Sequence, residues 1–443
     1  LEKSGHEVLL IDAPASNRTL AAVKSEVLAF APQIAVFDTS TPSIYDDVKA
    51  LEEVKSWFDG KLFALLVGTH PSALPEETLR LSRDIDAIAR REYDYTLLEL
   101  ADTFSKDNFD ISAIKGLSYR KNDIIFHNEE RPYIVDMDNI PFVTTVYQKH
   151  LDIKNYFYAH TQNPVISFFA GRGCPNRCFF CVYPQVMFGH VYRHRSPENI
   201  VAEMEYIHDN LPEVKEILID DDNFTVDQEH VLRICELIVQ KKIHITWTVE
   251  ARVNLRFDVM KAMKRAGCRM LVTGFECGDQ QILQNINKGI TLEQAELFCA
   301  NAKKAGLRVH GCFMVGNKGE TRDTMEKTLN LALKLDPDTA QFFPLMVYPG
   351  TEAFMWAEKN GYIKADSYRN WLTADGMHNC VVNTTELSAT DLVRFCDYAR
   401  RRFYLRSRYI LRKIVDILSN PNEIGRTVRA AKTLFSHLIK KEQ

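Results

Sequence analysis

The sequence predicts an α/β chain: an N-terminal doubly wound (Rossmann-like) domain, a partial (β/α)6 barrel, and a helical C-terminal region. Three observations carry this reading. Strand-sized apolar runs alternate with helical ones twice, over residues 6–104 and 164–345, with a Pro-interrupted stretch between the two series. The apolar runs are continuous, as in parallel strands covered on both faces. The 443 residues are 46% hydrophobic and 26% charged, an ordinary globular mix long enough for two or three domains. That composition excludes a disordered, collagen-like or disulfide-scaffold chain. The longest apolar runs, such as Ile34–Phe37 and Leu62–Val67, fall well short of the ~20 residues of a membrane span.

In the first series the predicted strands are His6–Ile11, Ile34–Asp38, Lys61–Val67 and Ala87–Ala89. The helices between and after them are Leu20–Phe30, Ile44–Phe58, Glu76–Ser82 and Glu92–Phe104. Ligands of such sheets sit at the carboxyl ends of strands, here Asp12-Ala13-Pro14, Asp38-Thr39-Ser40-Thr41 and Gly68-Thr69-His70-Pro71. Residues 107–162 read as a connector with a hairpin across Lys121-Asn122-Asp123, so boundaries are expected at 1–106, 107–162, 163–350 and 351–443. The first domain opens on a charged stretch with no apolar leader, Leu1-Glu2-Lys3-Ser4-Gly5-His6, and reads as truncated at its N-terminus. The second series has strands Val165–Phe169, Glu216–Ile219, Thr246–Val249, Met270–Thr273, Arg308–Phe313 and Ala340–Leu345. Its helices are Pro197–Asn210, Asp227–Lys241, Phe257–Ala266, Asp279–Asn285, Leu292–Ala305 and Arg322–Lys334. Ser196-Pro197 supplies an N-cap and a first-turn proline. Six β/α units suggest a partial barrel with chemistry on its carboxyl rim.

Of ten cysteines, Cys174, Cys178 and Cys181 fall within eight residues and the other seven are scattered singly on apolar segments. The scattered ones read as small buried hydrophobes. The C-x3-C-x2-C triplet follows the first barrel strand. Three thiolates can hold three irons of a [4Fe–4S] cube and leave the fourth open. Structural zinc is the alternative, with His190 or His194 closing the tetrahedron.

The run Cys174-Pro175-Asn176-Arg177-Cys178-Phe179-Phe180-Cys181 resembles the C-x3-C-x-aromatic-C signature of the radical S-adenosylmethionine (SAM) superfamily. The resemblance implies that Phe180 lies against the SAM adenine and that Asp221 and Asp222, in Asp220-Asp221-Asp222-Asn223-Phe224, bind the SAM ammonium. A solvated turn is the bland alternative for that acidic run. It further implies that Arg252 pairs with the SAM carboxylate. Gly274-Phe275-Glu276-Cys277-Gly278 resembles the family's G-x-E-S-G strand end, which would bring Glu276 to the ribose or methionine, with Cys277 in place of the usual Ser. Gly316, in a run resembling G-x-P-G-E-T with Lys318 where Pro is usual, would let the backbone approach the adenine.

The first domain has no G-x-G-x-x-G, so a dinucleotide is not expected. Its segments resemble the cobalamin-binding domain of B12-dependent radical SAM enzymes. The matching residues are Thr39, Ser40 and Thr41 at one strand end, Gly68, Thr69, His70 and Pro71 at the next, and Glu92 at a helix start. No D-x-H-x-x-G occurs, so His70 is expected beside the corrin or in a turn and not on cobalt. The runs Val182-Tyr183-Pro184-Gln185 and Gly189–Ser196 look most like the hopanoid-associated ring-modifying members.

The resemblance implies reductive cleavage of SAM to a 5′-deoxyadenosyl radical, hydrogen abstraction from an unactivated carbon of a small or lipid-like substrate, and methyl transfer from methylcobalamin. Radical rearrangement, ring contraction or cyclisation without methylation is one alternative, and a zinc-stabilised scaffold protein is another. Tyr183, His190, Tyr192 and Tyr348, with Arg193 and Glu250, are the rim groups expected to include substrate contacts. An electron donor such as flavodoxin or ferredoxin is implied. Net charge is −4, yet twelve Lys/Arg face two acidic residues between Arg400 and Lys441. With the interleaved apolar residues, this reads either as a basic amphipathic surface for the inner membrane leaflet or as a helix packed on the barrel. Nucleic acid is not expected, for want of an aromatic-basic binding module. A cytoplasmic enzyme, peripheral to the membrane at most, is the resulting expectation.

Overall fold

The computed structural model describes residues 1–104, 106, 109–364, 367–373 and 379–419. They fall into two compact units: residues 1–141, 173–193 and 346–381 form the first, and 142–172, 194–345 and 382 onward the second.

In the first unit, β1 (Ile34–Asp38), β2 (Phe63–Val67) and β3 (Ala87–Ala89) run parallel, with Ile34 opposite Phe63 and Asp38 opposite Val67. β2 reads as one apolar run because both its faces are buried. Ala64 and Leu66 pack with Ile44, Val48 and Leu51 of α2 (Ile44–Ser56) and Leu79 of α4 (Pro75–Leu81). Leu65 and Val67 pack on the other face with Leu100 of α5 (Asp94–Phe104), Ile114 and Leu117. α1 (Leu20–Phe30) has the predicted bounds.

Three expectations for this unit are corrected. The hairpin assigned to a connector is the continuation of the sheet: β4 (Leu117–Lys121) pairs antiparallel with β3, and β5 (Ile124–His127) with β4. Asn122 and Asp123, both at positive φ, make its tight turn. Residues 6–11 form no strand, since no ladder pairs them and β1 stays a sheet edge. The predicted loop at 69–71 opens a one-turn helix, α3 (Thr69–Ala73), in whose first turn Pro71 needs no N–H partner.

The second unit is built on six parallel strands: β6 (Val165–Phe168), β7 (Glu216–Ile219), β8 (Thr246–Glu250), β9 (Cys268–Glu276), β10 (Arg308–Val315) and β11 (Thr339–Pro344), in spatial order β11-β10-β9-β8-β7-β6. α6 (Val143–His150) precedes the first of these strands, and between them run α7 (Pro197–Asn210), α8 (Gln228–Gln240), α9 (Phe257–Arg265), α10 (Gln280–Asn285), α11 (Leu292–Ala305) and α12 (Arg322–Leu335). This is the predicted partial barrel, with Ser196 capping α7. A row of rings, Phe275, Phe313, Phe342 and Phe403, packs between these strands and the later helix Ala389–Tyr404 at centroid spacings of 5.6, 5.3 and 6.1 Å. The edge strand β11 is covered by a later helix (Ala389–Tyr404), whose Tyr404 hydroxyl accepts from Ala340 N at 2.9 Å. At the amino ends of the strands, buried Glu216 is gripped by Arg269 at 2.9–3.1 Å. That end of such a sheet serves stability, and the opposite rim serves chemistry.

Candidate active site

The cysteine segment packs within the first unit. Gly173 sits at φ +86, and a Cβ there would lie 2.4 Å from the Val191 carbonyl oxygen, so the chain can enter Cys174 this tightly only as glycine. Cys174 and Cys178 are buried and Cys181 is partly so. Asn176 Nδ2 donates to Cys174 Sγ at 3.2 Å. His190 Nδ1 lies 3.2 Å from Cys174 O and 3.1 Å from Asn176 O. Two carbonyl oxygens require an N–H between them, so His190 is a fastener of the loop. Phe179 is buried edge-on against Trp356 at 5.7 Å, while Phe180 is only partly buried.

The proposed rim groups separate by environment. Tyr183 is half exposed and stacks on Phe188. Tyr348 lies near it, its hydroxyl pushed up to about 12 by burial and then by Tyr183. Tyr192 is partly buried. Arg193 and Glu92, expected at substrate and at cobalamin respectively, are instead each other's partners. Arg193 Nη1 and Nη2 reach Glu92 Oε2 and Oε1 at 2.9 and 2.7 Å, both side chains buried. Arg193 also donates to Ile134 O and Phe188 O, and Glu92 accepts from Ile134 N. With both carboxylate oxygens and four contacts of the guanidinium used internally, the pair is a brace.

At the strand ends of this unit, Thr39 and Thr41 are buried. Thr39 Oγ1 donates to Asp47, whose carboxyl burial pushes up. Ser40 Oγ meets Ser43 Oγ at 3.1 Å. Gly68 has φ +112, and a Cβ would stand 2.2 Å from Thr39 O. Thr69, His70 and Pro71 open α3. His70 is fully enclosed, its Nδ1 3.1 Å from Thr41 Oγ1 and its ring edge-on to Tyr368 at 4.9 Å. Its Nε2 has no hydrogen-bond partner.

Burial holds the His70 pKa down, from 6.5 to about 4. The unfolded chain therefore takes up a proton below pH 6.5 that the folded chain refuses until about pH 4. Stability is expected to fall over that window by on the order of 3 kcal/mol and to level off below it. His70→Gln should flatten this part of a denaturation-versus-pH curve; an unchanged slope would show the histidine is not its source.

In the second unit, Asp221 Oδ1 accepts from Ala170 N at 2.8 Å and Gly171 N at 3.0 Å. That oxygen braces the chain after β6, beside Asp220 and Asp222 on the same rim. Asp220 and Glu250 face one another electrostatically. Burial raises both, Glu250 to about 8 with Asp220 adding and Lys288 opposing. A bulge in the β9–β10 register between Gly274 and Glu276 re-aims the end of β9, placing Glu276 at φ +62. Glu276 Oε1 takes Lys288 Nζ at 2.7 Å, and buried Oε2 has no partner. A Cβ on Gly274 would fall 2.1 Å from that Oε1, which is why the motif needs glycine there. Arg252 Nη2 donates to Lys288 O.

Gly316, at φ +93, is covered by Leu392, whose Cδ1 would be 2.7 Å from a Cβ, so packing accounts for this glycine. Its N–H and that of Asn317 donate to buried Glu320 at 2.7 and 2.8 Å. Cys277, in the usual Ser place, keeps the motif tied: its Sγ lies 3.8 Å from Glu320 Oε1 and accepts from Thr328 Oγ1 at 3.3 Å. Sequence reasoning missed Lys288, which meets Glu276 through a bulge that no local spacing announces, and it read Glu320 and Gln185 only as members of motif runs, without their hydrogen-bond partners.

The sequence profile of the radical SAM superfamily matches residues 169–332. The uncharacterized methyltransferase PH0819 of Pyrococcus horikoshii is 32% identical over 93% of this chain and 87% of its own length. The chain belongs to the radical SAM superfamily. It is an enzyme of that family, whose cofactors are a [4Fe–4S] cluster and SAM. An anaerobic magnesium-protoporphyrin IX monomethyl ester cyclase of Rubrivivax gelatinosus is 26% identical over 79% of the chain, which spans 62% of the cyclase. The methyltransferase TsrM from Kitasatospora setae, solved with cobalamin and a [4Fe–4S] cluster bound, has the same fold, at a TM-score of 0.71 and 16% identity over 91% of this chain and 84% of that one.

The residues of the radical SAM chain fit these groups. Three thiols on one braced loop suit three corners of a cluster. Among the described residues no three His, Cys, Asp or Glu side chains stand close enough to hold a single ion. The unpartnered Glu276 Oε2 is an acceptor waiting for a hydroxyl or ammonium donor.

Proposed function

We propose that this chain is a cobalamin-dependent radical SAM methyltransferase acting on a carbon of a small or lipid-like substrate. The carrying observation is the set of β1 and β2 strand ends, Thr39 to Thr41 and Gly68 to Pro71, with buried His70 Nε2 left unpartnered among them. The fold shared with TsrM and the methyltransferase name of the Pyrococcus relative support the reading. When bound, SAM on the open iron supplies a 5′-deoxyadenosyl radical and methylcobalamin supplies the methyl group.

The chain's own residues do the rest. Cys174, Cys178 and Cys181 hold the cluster, and Asn176 and His190 fix their loop. Asp222, Arg252 and Glu276 offer an acid, a guanidinium and a free carboxylate oxygen for the charged and hydroxylated parts of SAM. Tyr183 and Tyr348 are the hydroxyls offered to substrate. His70, enclosed against Tyr368, packs beneath the ligand-bearing loops and does not bind cobalt. The test is anaerobic reconstitution with iron, sulfide and hydroxocobalamin. A corrin absorbance should stay with the protein through gel filtration, and S-adenosylhomocysteine should form beside 5′-deoxyadenosine. A protein that cleaves SAM but retains no corrin would overturn the cobalamin reading. The cyclase relatives favour a second reading, ring formation without methylation, which product mass distinguishes.

The partners follow the same reading. A one-electron donor of the flavodoxin or ferredoxin kind is required by the chemistry. No described helix is long and apolar enough to cross a membrane. On the helix Ser407–Ser419, however, Leu411, Ile414, Val415 and Leu418 form an exposed apolar row beside exposed Arg408. Basic residues Arg426 to Lys441 lie outside the described residues. This face suits an anionic lipid surface. Co-sedimentation is expected with vesicles containing phosphatidylserine and not with purely zwitterionic ones; failure with both would remove the membrane from the partners.

A further inference from the structure

Gln185 occupies a position the known chemistry does not explain. Its Nε2 lies 3.1 Å from Cys178 O, 3.2 Å from Phe179 O and 2.9 Å from Cys181 O. Its Oε1 accepts the backbone N–H of Glu352 at 2.8 Å, in the first turn of the helix Glu352–Lys359. The next N–H of that turn, Ala353, donates to Phe179 O at 3.1 Å. The surroundings fix the amide's orientation: turned over, its oxygen would oppose three carbonyl oxygens while its NH2 met an N–H. One side chain thus ties both members of the C-x2-C pair to a helix end that lies about 170 residues onward in the chain.

We propose that Gln185 is a positioning residue of the cluster, setting the Cys178–Cys181 turn before iron binds and slowing its opening afterwards. The inference rests on the [4Fe–4S] reading of the three thiols. A turn with three carbonyls converging on one point opens unless a donor stands there, because aligned C=O dipoles repel. With the donor in place both sulfurs are presented together, and a ligand set already arranged loses less freedom on binding. Gln185 touches neither iron nor SAM in this role; it acts through the backbone of the two cysteines.

The test compares Gln185→Glu and Gln185→Met, each near the native volume but neither presenting an NH2, with the wild type after anaerobic reconstitution. Loss of the cluster's visible absorbance to excess EDTA is followed in time, together with the EPR spectrum of the reduced protein and the melting temperature of the apoprotein. Both variants are expected to lose the cluster about tenfold faster, with altered EPR anisotropy and an apoprotein melt close to wild type. Glu352→Ala, which keeps the backbone N–H, should match the wild type. Wild-type loss rates and EPR in either folded variant would overturn the proposal. So would faster loss that merely tracks a lowered melting temperature, the mark of an ordinary packing residue. If the wild type itself takes up no iron and sulfide, the cluster reading fails, which is a different result from any of these.

Discussion

Cys178→Ala is expected to reduce 5′-deoxyadenosine formation by a factor on the order of a thousand or more, to the background of the assay. Cys178 is buried at the centre of the triplet, and its carbonyl is one of the three held by Gln185. Without its sulfur, two thiols remain for a cube that needs three protein corners to leave one iron open. Five of the seven other cysteines are poorly suited to step in. Cys235, Cys277 and Cys299 have thiols pushed up to about 12 by burial, and burial also raises Cys268 and Cys312 well above the usual thiol range. Such thiols do not supply thiolate at neutral pH. Cys235→Ala, on α8, should leave SAM cleavage unchanged. The assay is anaerobic, with a chemical reductant and chromatographic detection of the nucleoside. Undiminished turnover in Cys178→Ala would end the case for cluster-based cleavage in this chain.

The parallel architecture was legible because burial writes itself into single strands. A run such as Phe63–Val67, apolar at every position, needs two covered faces, and a helix between such runs announces itself by a cap such as Ser196. The cysteine loop was legible for a different reason: metal chemistry constrains spacing within a few residues. What stayed hidden depends on partners far along the chain. Asp221 reads as a ligand beside Asp220 and Asp222, and only the fold shows one of its carboxylate oxygens holding the backbone after β6. Lys288 carries no motif, yet it meets Glu276 because a bulge turns the end of β9. Residues 6–11 have the composition of a strand, but pairing and not composition makes a strand, and no neighbour pairs them.

The same distinction yields the largest stability effect expected. Glu92 and Arg193 each resemble functional residues in sequence, one at a helix start and one in a rim run, and the structure joins them across 101 residues in a buried bidentate pair. Arg193→Met removes four hydrogen bonds and leaves the buried Glu92 carboxylate, which accepts from the Ile134 N–H, without its paired cation. Breaking a buried pair from one side costs about 3–5 kcal/mol, most of it the uncompensated charge. The unit that holds this pair also holds Trp57, Trp356 and Trp371, three of the four tryptophans, so tryptophan fluorescence during urea unfolding reports on it directly. A lower midpoint is expected for Arg193→Met and for Glu92→Met alone. In the double variant, where neither charge is left stranded, much of the loss should be recovered. A single-variant change below about 0.5 kcal/mol, the size usual for a surface position, would mean the pair is not the brace described and would return Arg193 to the list of substrate contacts. The cost falls on the unit that carries the cysteine loop, because Arg193 also grips Phe188 O within that same segment. Faster cluster loss should therefore accompany the lower midpoint in Arg193→Met, and both should recover together in the double variant.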